Sequence, residues 1–315
     1  MKEKNFDTNQ TSIRLEGIFP PLPTPFDEKG QVSTTALKNN LALLNRFALR
    51  GFVVLGTNGE YVMLSEEEKL LIMETARTSI PSDKLMIAGT GCQSTCETIE
   101  LTKKAAEIGA DAVLIITPSY YKSQMTPTAL IHHYCAVADN SPIPVLIYNM
   151  PACTGVDLDA EPIITLARHP NIIGVKDSSG SVVKMGDIYR QVHQERLDFQ
   201  ILAGSAGFLL PALSIGAVGG VLALANIAPS QCIAIHRFFL EGNLNEAREI
   251  QARMIPVNAA VTSRWSVPGL KAAMDFLGMY GGPVRQPLLS TPEETRKLLE
   301  TILLNGGIKK NGFID

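Results

Sequence analysis

Residues 111–148 read DAVLIITPSYYKSQMTPTALIHHYCAVADNSPIPVLIY, and this stretch decides the fold. It begins and ends with a short apolar run, at 111–116 and 144–148. Between them, Thr126-Pro127 starts a segment of helical period, because proline fits the first turn of a helix. Runs that are apolar throughout are typical of parallel strands covered on both faces. The stretch therefore predicts a strand, a helix and a second, parallel strand.

The same unit recurs along the chain. Similar apolar runs occur at residues 17–22, 51–55, 84–88, 172–176, 199–203 and 218–222. A strand followed by a helix about every 30 residues, eight times over, is the pattern of a (β/α)8 TIM barrel. An open doubly wound sheet remains the alternative, and the number of strands favours the barrel.

The chain divides into a barrel and a helical C-terminal part. After residue 228 the strand pattern stops, whereas helical patterns continue to about residue 305 without a linker rich in Pro, Gly or Ser. We expect a flexible N-terminal tail at 1–15, the barrel at 16–228, C-terminal helices packed on it at 229–305, and a tail at 306–315.

Composition limits the classes of function. The chain has 315 residues, of which 45% are hydrophobic and 19% charged, so a large buried core is expected. A formal net charge of −3 offers no basic surface for nucleic acid. The uncharged stretch between Asp198 and Arg237 is long enough to span a bilayer, but many glycines and prolines interrupt it, so no membrane span is expected.

The N-terminus and the cysteines bear on the compartment. Residues 1–17 are polar and have the features of neither a signal peptide nor a transit peptide. The five cysteines include no Cys-x-x-Cys motif, which argues against a disulfide framework or a zinc site. We expect a cytoplasmic protein without a bound metal.

Reactive groups of such barrels lie at the carboxyl ends of the strands. Lys176 ends one predicted strand, where desolvation favours the uncharged amine that attacks a ketone to form a Schiff base. The alternative is a lysine paired with Asp177 or another carboxylate. Tyr148 ends the preceding strand and could shuttle a proton at the same mouth, although strand-end tyrosines are more often core residues.

Two glycine-containing turns are candidate anion sites. Residues 56–60, GTNGE, place backbone N–H groups and small polar side chains where a carboxylate could bind, although the turn could also be an ordinary connection. Residues 204–207 lie where many barrels bind phosphate, but no lysine or arginine is near in the sequence. A phosphate-binding barrel isomerase is therefore a minor alternative, as is an inactive binding protein.

Five motifs together resemble one family. GTNGE (56–60), ITPSYY (116–121), YNMPACTG (148–155), GVKDSSG (174–180) and GLKAAMDFLGMYGGPVRQPL (269–288) are similar in order and spacing to the dihydrodipicolinate synthase/N-acetylneuraminate lyase family of pyruvate-dependent class I aldolases. The resemblance covers about residues 16–305. It implies a TIM barrel with additional C-terminal helices, a small 2-oxo acid as substrate, no cofactor besides the covalent Schiff base, and a homotetramer built as a dimer of dimers.

The resemblance also assigns roles to residues. It makes Lys176 the Schiff-base lysine and Tyr148 the proton-relay tyrosine. Thr57 and Asn58 match the pair that holds the pyruvate carboxylate. Tyr120, rather than Tyr121, matches a tyrosine contributed across a subunit interface.

One departure bears on the substrate. The lysine-pathway synthases of the family resemble YN-x-P-x-R-T-G, in which the arginine holds the carboxylate of the aldehyde substrate. Here that position is Cys153, and Asn58 stands where those synthases typically have threonine. A neutral thiol cannot make a bidentate contact with a carboxylate. This puts 4-hydroxy-tetrahydrodipicolinate synthase activity, the condensation of pyruvate with aspartate semialdehyde, in doubt.

Other stretches, such as HPNIIGVKDSSG (169–180) and FQILAGSAGFL (199–209), resemble the 4-hydroxy-2-oxoglutarate aldolases of the family. We therefore expect cleavage of 4-hydroxy-2-oxoglutarate to pyruvate and glyoxylate. Ser178 is the candidate contact for the distal carboxylate, and Gly204 a further binding residue. The family's 2-keto-3-deoxy sugar-acid aldolases, which share the KDSSG run, remain an alternative.

Overall fold

The computed structural model describes residues 13–313, and within this range eight parallel strands form one sheet. The strands are β1 (Gly17–Phe19), β2 (Gly51–Val54), β3 (Leu85–Gly89), β4 (Ala112–Ile116), β5 (Val145–Asn149), β6 (Ile172–Asp177), β7 (Gln200–Ala203) and β8 (Gly219–Val221). All eight coincide with apolar runs predicted from the sequence. The uncharged stretch after Asp198 contains β7 and β8, both fully buried.

The sheet closes into a ring. Neighbouring strands pair in parallel in the order β1, β8, β7, β6, β5, β4, β3, β2. Between β1 and β2, the Val53 N–H donates to the Pro20 carbonyl over 3.1 Å, and the Leu22 N–H donates to the Val53 carbonyl over 2.8 Å. Pro20 and Pro21 have no N–H, which keeps this ladder short. The TIM barrel is confirmed, and an open doubly wound sheet is excluded.

Helices connect the strands and extend beyond the barrel. They are α1 (Thr34–Leu44), α2 (Glu66–Ser79), α3 (Thr95–Ile108), α4 (Pro127–Asn140), α5 (Pro151–Thr154), α6 (Ala160–Ala167), α7 (Val182–Gln194), α8 (Leu209–Ser214), α9 (Pro229–Leu240), α10 (Leu244–Ala259), α11 (Ser266–Phe276) and α12 (Glu293–Asn305). Pro127 occupies the first turn of α4, as expected. A π-helical turn, Ala260–Arg264, joins α10 to α11.

Apolar residues fill two layers. One cluster lies inside the barrel and includes Phe19, Val53, Leu114, Leu146 and Tyr148. A larger cluster lies between the outer face of the sheet and the helices. Because successive side chains of a strand point to opposite faces, Leu146 and Tyr148 of β5 point inward while their neighbours point outward.

A β-bulge in β6 sets the direction of the lysine. Val145 pairs with Ile172 but Leu146 pairs with Gly174, so Ile173 is an extra residue in the ladder. Ile173 packs inside the barrel, whereas Val175 packs outside. If side chains alternated regularly from the inward-facing Ile173, Lys176 would face outward. The bulge shifts the alternation by one residue, so Lys176 faces inward instead. Lys176 therefore lies on the inner face, beside Tyr148.

The described parts of both predicted tails, at 13–15 and 306–313, contain buried residues. Leu15 is fully buried, and its N–H donates to the Gln200 side chain over 2.7 Å. Near the other end, Ile308 and Phe313 are buried, and the Phe313 ring lies 5.4 Å from that of Phe47. Residues 1–12 of the predicted N-terminal tail lie outside the described residues. Among residues 13–313, no helix is long and apolar enough to cross a membrane.

Candidate active site

Lys176 and Tyr148 meet at the mouth of the barrel. They are register partners on β6 and β5, and each is only 4% exposed. The Lys176 Nζ lies 3.8 Å from the centroid of the Tyr148 ring. In the described chain the salt bridges of Asp177 go to Lys184, so the alternative that Lys176 pairs with Asp177 is wrong. The geometry leaves the amine beside a phenol, which suits attack on a carbonyl with proton transfer nearby.

The turn after β2 reaches the same place. Thr57–Gly59 forms a 3-10 turn, and the Thr57 hydroxyl lies 3.0 Å from the Tyr148 hydroxyl. The first N–H groups of such a turn have no partner within it. The Asn58 Nδ2 is buried and has no hydrogen-bond partner among the described residues. Donors without a partner, close to the amine, are suited to a carboxylate, and the predicted roles of Thr57 and Asn58 stay predictions.

Ser178 and Gly204 touch each other on the far side of the lysine. The Ser178 Oγ is buried without a hydrogen-bond partner among the described residues. A Cβ built on Gly204 would lie 2.0 Å from that oxygen, so only glycine leaves it room. A buried hydroxyl without a partner costs about 1–3 kcal/mol. A substrate oxygen would supply the missing partner.

Tyr120 and Tyr121 lie on the loop after β4 and are 79% and 70% exposed. Their rings meet edge to face, with centroids 5.1 Å apart. The described hydrogen bond of Tyr120 is made by its main-chain N–H, which donates to the Gln93 side chain. The structure of one chain thus brings Thr57, Tyr148 and Lys176 together and leaves the Tyr120 side chain in solvent.

The sequence analysis missed a polar network behind Lys176 and Tyr148. The Asn149 Nδ2 donates to carboxylate oxygens of Asp177 (3.0 Å) and Asp157 (2.7 Å). The Lys184 Nζ lies 3.2 Å from the Asp177 carboxylate and 2.5 Å from that of Asp157. The sequence did contain a signal for this network, because Asn149 directly follows Tyr148 and Asp177 directly follows Lys176. We call Asn149, Asp157, Asp177 and Lys184 the strand-end network.

Two side chains near the mouth, those of Cys153 and Lys122, bear on its charge. Burial raises the pKa of the Cys153 thiol, an effect that nearby Lys176 opposes. The side chain at this position is therefore a neutral thiol. The sequence analysis also missed Lys122, whose Nζ would lie 2.8 Å from a Cβ built on Gly155, two residues beyond Cys153.

The glycine-containing turn after β7 is internally bonded. The Gly207 N–H donates to the Ser205 Oγ over 3.3 Å, and the Asn258 Nδ2 donates to the same oxygen over 3.0 Å. The Gly207 N–H and the Ser205 Oγ are thus bonded within the chain. Residues 13–313 contain no cluster of three or more His, Cys, Asp or Glu side chains able to hold a metal ion.

Comparisons with known proteins identify a family for this chain. Residues 14–305 match the model of the dihydrodipicolinate synthetase family. A 4-hydroxy-tetrahydrodipicolinate synthase of Methanothrix thermoacetophila is 36% identical, over 92% of this chain and 96% of its own length. A probable mitochondrial 4-hydroxy-2-oxoglutarate aldolase of Emericella nidulans is 37% identical, over 91% of this chain and 93% of its own length.

Solved structures show the same architecture. The crystal structure of dihydrodipicolinate synthase from Aquifex aeolicus superposes with a TM-score of 0.86 at 30% identity, covering 94% of this chain and 99% of its own. The enzyme from Cyanidioschyzon merolae, solved with lysine bound, gives a TM-score of 0.88 at 29% identity, covering 93% and 98%. The chain therefore belongs to the dihydrodipicolinate synthetase family and is a carbon–carbon lyase of the pyruvate-dependent class I aldolase type.

Proposed function

We propose that this protein cleaves 4-hydroxy-2-oxoglutarate to pyruvate and glyoxylate through a Schiff base on Lys176. The observation that carries the proposal is the hydrogen-bonded pair of Thr57 and Tyr148 hydroxyls, 3.0 Å apart, with the Lys176 amine against the Tyr148 ring. A nucleophile and a proton carrier are thus side by side in a buried site. This is the arrangement that iminium chemistry needs.

In the proposed reaction, the Lys176 amine attacks C2 of the substrate and water leaves, with Tyr148 supplying and removing the protons. The resulting iminium accepts electrons. Loss of the proton from the C4 hydroxyl then breaks the C3–C4 bond, and its electron pair moves towards the iminium to form an enamine. Glyoxylate leaves. Protonation of the enamine at C3 and hydrolysis release pyruvate and restore the amine.

The substrate has two carboxylates, and each has a proposed site. Thr57 and Asn58 hold the C1 carboxylate beside Lys176, and Ser178 with Gly204 receives the distal one. The buried Ser178 Oγ and Asn58 Nδ2, both without partners among the described residues, support this assignment. No metal or organic cofactor takes part, because the covalent iminium supplies the electron sink.

A second candidate is 4-hydroxy-tetrahydrodipicolinate synthase activity. It is favoured by the names of relatives such as the Methanothrix protein and by Lys122, which brings an ammonium group to Gly155 near the position of Cys153. An ammonium is a point charge and does not offer the two parallel donors of an arginine. We therefore rank this activity below the aldolase.

Borohydride trapping tests the chemistry. Reduction in the presence of pyruvate should add one pyruvyl group at Lys176, found by mass spectrometry of the digested protein. The Lys176→Ala variant should give no adduct and no turnover, while Lys103→Met, which removes a surface lysine and leaves Lys176 in place, serves as the control for adduct mapping. An adduct on another residue, or none, removes the class I mechanism from this site.

A substrate panel tests the specificity. Pyruvate release should be fastest from 4-hydroxy-2-oxoglutarate, slower from 2-keto-3-deoxy sugar acids, and the condensation of pyruvate with aspartate semialdehyde should be weak. Activity confined to that condensation would establish the second candidate. Activity confined to sugar acids would keep the mechanism and change the substrate.

Assembly and compartment are also proposals. The exposed Tyr120–Tyr121 pair supports a subunit contact at this loop, within a homotetramer. Light scattering after size-exclusion chromatography should give about four times the 34.1 kDa chain mass. The five free cysteines support a reducing cytoplasm. Cell fractionation that places the protein elsewhere would contradict this.

A further inference from the structure

Glu60 ends the turn that we propose holds the substrate carboxylate, and it is placed unusually. Its backbone is left-handed, with φ 55°, a conformation that costs energy for a residue with a long side chain. The side chain is only 1% exposed. Its N–H donates to the Thr57 carbonyl over 3.1 Å, so its backbone closes the turn directly. A strained, buried carboxylate one residue beyond a proposed binding turn calls for a physical role.

Both carboxylate oxygens of Glu60 lie against the C-terminal part of the chain. The Lys271 Nζ of α11 lies 2.6 Å from Oε1, and the Arg285 main-chain N–H donates to Oε2 over 2.8 Å. Lys271 is only 1% exposed, and its ammonium also donates to the Pro283 carbonyl over 2.8 Å. Burial lowers the pKa of Lys271, and the Glu60 carboxylate opposes that effect. Glu60 thus joins the turn to a segment about 225 residues away.

The segment that holds Glu60 is itself fixed to the barrel. The Arg285 guanidinium makes two bonds to the Glu68 carboxylate, of 2.6 and 2.7 Å, and donates to the Met63 carbonyl over 3.0 Å. Lys271 and Arg285 both lie over the Phe26 ring, with their charged groups 4.5 and 4.3 Å from its centroid. Lys271 and Arg285 are therefore held in place by contacts of their own, and these contacts fix the position of the Glu60 carboxylate.

A second contact fixes the same end of the turn, one residue before Glu60. The Thr24 hydroxyl donates to the Gly59 carbonyl over 2.7 Å. With Glu60 held by α11, the turn has little freedom to tilt. Thr57 is also bonded to Tyr148, so any tilt would displace the relay tyrosine as well. A buried ion pair adds little to net stability, which leaves positioning as its physical contribution.

We propose that Glu60 is a positioning residue, and that its buried pair with Lys271 sets the affinity of the Thr57–Gly59 turn for the substrate carboxylate. The inference rests on the proposed function, in which this turn binds that carboxylate. Glu60 touches no reacting atom and acts through the backbone of the turn. Its effect is therefore selective for substrates that carry the carboxylate.

The test compares two ketones that differ only in that group. Pyruvate carries the carboxylate, whereas methyl pyruvate carries a neutral ester. The rate of borohydride-trapped adduct formation on Lys176 is measured by mass spectrometry at low concentrations of each, for the wild type and for Glu60→Gln. An amide has one acceptor oxygen, so glutamine cannot serve both Lys271 and Arg285. Glu67→Gln, the same change at an exposed position seven residues further, is the control.

Glu60→Gln should lower the rate with pyruvate by at least about tenfold, since small misplacements of a binding group cost this much, while the rate with methyl pyruvate changes by less than about twofold. The control should match the wild type with both ketones. If Glu60→Gln fails to fold, the charge-balanced variant Glu60→Gln/Lys271→Met carries the same test. A purely structural role would lower both rates equally, and that result overturns the inference.

Adduct rates of the wild type distinguish a failure of this inference from a failure of the proposed function. If the wild type forms no pyruvate adduct on Lys176, or forms it no faster than the adduct with methyl pyruvate, the proposed carboxylate role of the turn fails. If the wild type prefers pyruvate and Glu60→Gln keeps that preference, only the positioning role fails.

Discussion

Replacing Lys184 by methionine should destabilise the protein strongly, because it removes the cation of the strand-end network. Asp177 is fully buried, and the Lys184 Nζ lies 3.2 Å from its carboxylate. Removing one partner of a buried pair costs about 3–5 kcal/mol. The carboxylate keeps three other donors, the Ser179 N–H (2.7 Å), the Ser179 hydroxyl (2.5 Å) and the Asn149 amide (3.0 Å). We therefore expect a loss of about 3 kcal/mol, the lower end of that range.

Differential scanning calorimetry at a fixed protein concentration measures this loss. At about 2–4 °C per kcal/mol for a chain of this class, Lys184→Met should unfold roughly 6–12 °C below the wild type. Lys103→Met is the matched control, because Lys103 pairs with Glu100 on the surface, where both side chains are about half exposed. Its unfolding temperature should equal that of the wild type.

A double variant tests the physical cause. Asp177→Asn removes the negative charge, so the double variant Lys184→Met/Asp177→Asn has no buried unpaired charge and should recover part of the stability lost in Lys184→Met. If Lys184→Met unfolds at the same temperature as the Lys103→Met control, the buried pair contributes nothing and the reasoning is refuted. If the two single changes simply add, the pair is not the cause of the loss.

Three further predictions concern the site and the pH dependence. Tyr148→Phe should slow turnover about 10²- to 10⁴-fold in steady-state assays while Lys176 still forms a borohydride-trapped adduct, and unchanged turnover would contradict the proton relay. Gly204→Ala should raise the KM for the 2-oxo acid and lower thermal stability, because the new Cβ would lie 2.0 Å from the Ser178 Oγ. Burial lowers the pKa of His133 to about 4 from 6.5, so the unfolded chain binds the extra proton and stability falls as pH drops from 6.5 towards 4. In the His133→Gln variant, the free energy of unfolding should depend less on pH between 6.5 and 4, as measured by denaturant titrations at several pH values. An unchanged pH dependence would assign the effect to other groups.

Most of the fold could be predicted because its signals are local. The apolar runs at 111–116 and 144–148 contain β4 and most of β5, and each strand is buried along its whole length. The site could be predicted in part for the same reason, since Tyr148 and Lys176 each stand at or next to the end of a run. The Tyr120 side chain could not be placed, because it is exposed in one chain and its surroundings depend on what covers the loop.

Contacts between distant segments had no local signal. Glu60 reads as part of a turn motif, and nothing near it in sequence shows that Lys271 and Arg285 will surround it. The strand-end network has the same character, since Asn149 and Asp177 stand in different motifs and meet only because β5 and β6 are neighbours. Sequence patterns predict which residues lie at the mouth of a barrel, whereas the pairing of charges there depends on the packed structure.

The orientation of Lys176 depends on a single extra residue in β6. The placement of Lys176 at a strand end was compatible with an inward amine or with a salt bridge at the rim. Ile173, the extra residue in the ladder with β5, shifts the alternation of β6 by one position. A shift of one residue exchanges the two faces of a strand, so the bulge puts Lys176 inside with Tyr148 and gives the outer face to Asp177, where Lys184 pairs with it. Gly174 permits the close approach that this geometry needs, because a Cβ there would lie 2.3 Å from the Gln200 carbonyl oxygen. The same irregularity therefore places both the buried amine and the buried carboxylate, and it explains why the adjacent side chains of Lys176 and Asp177 do not pair with each other.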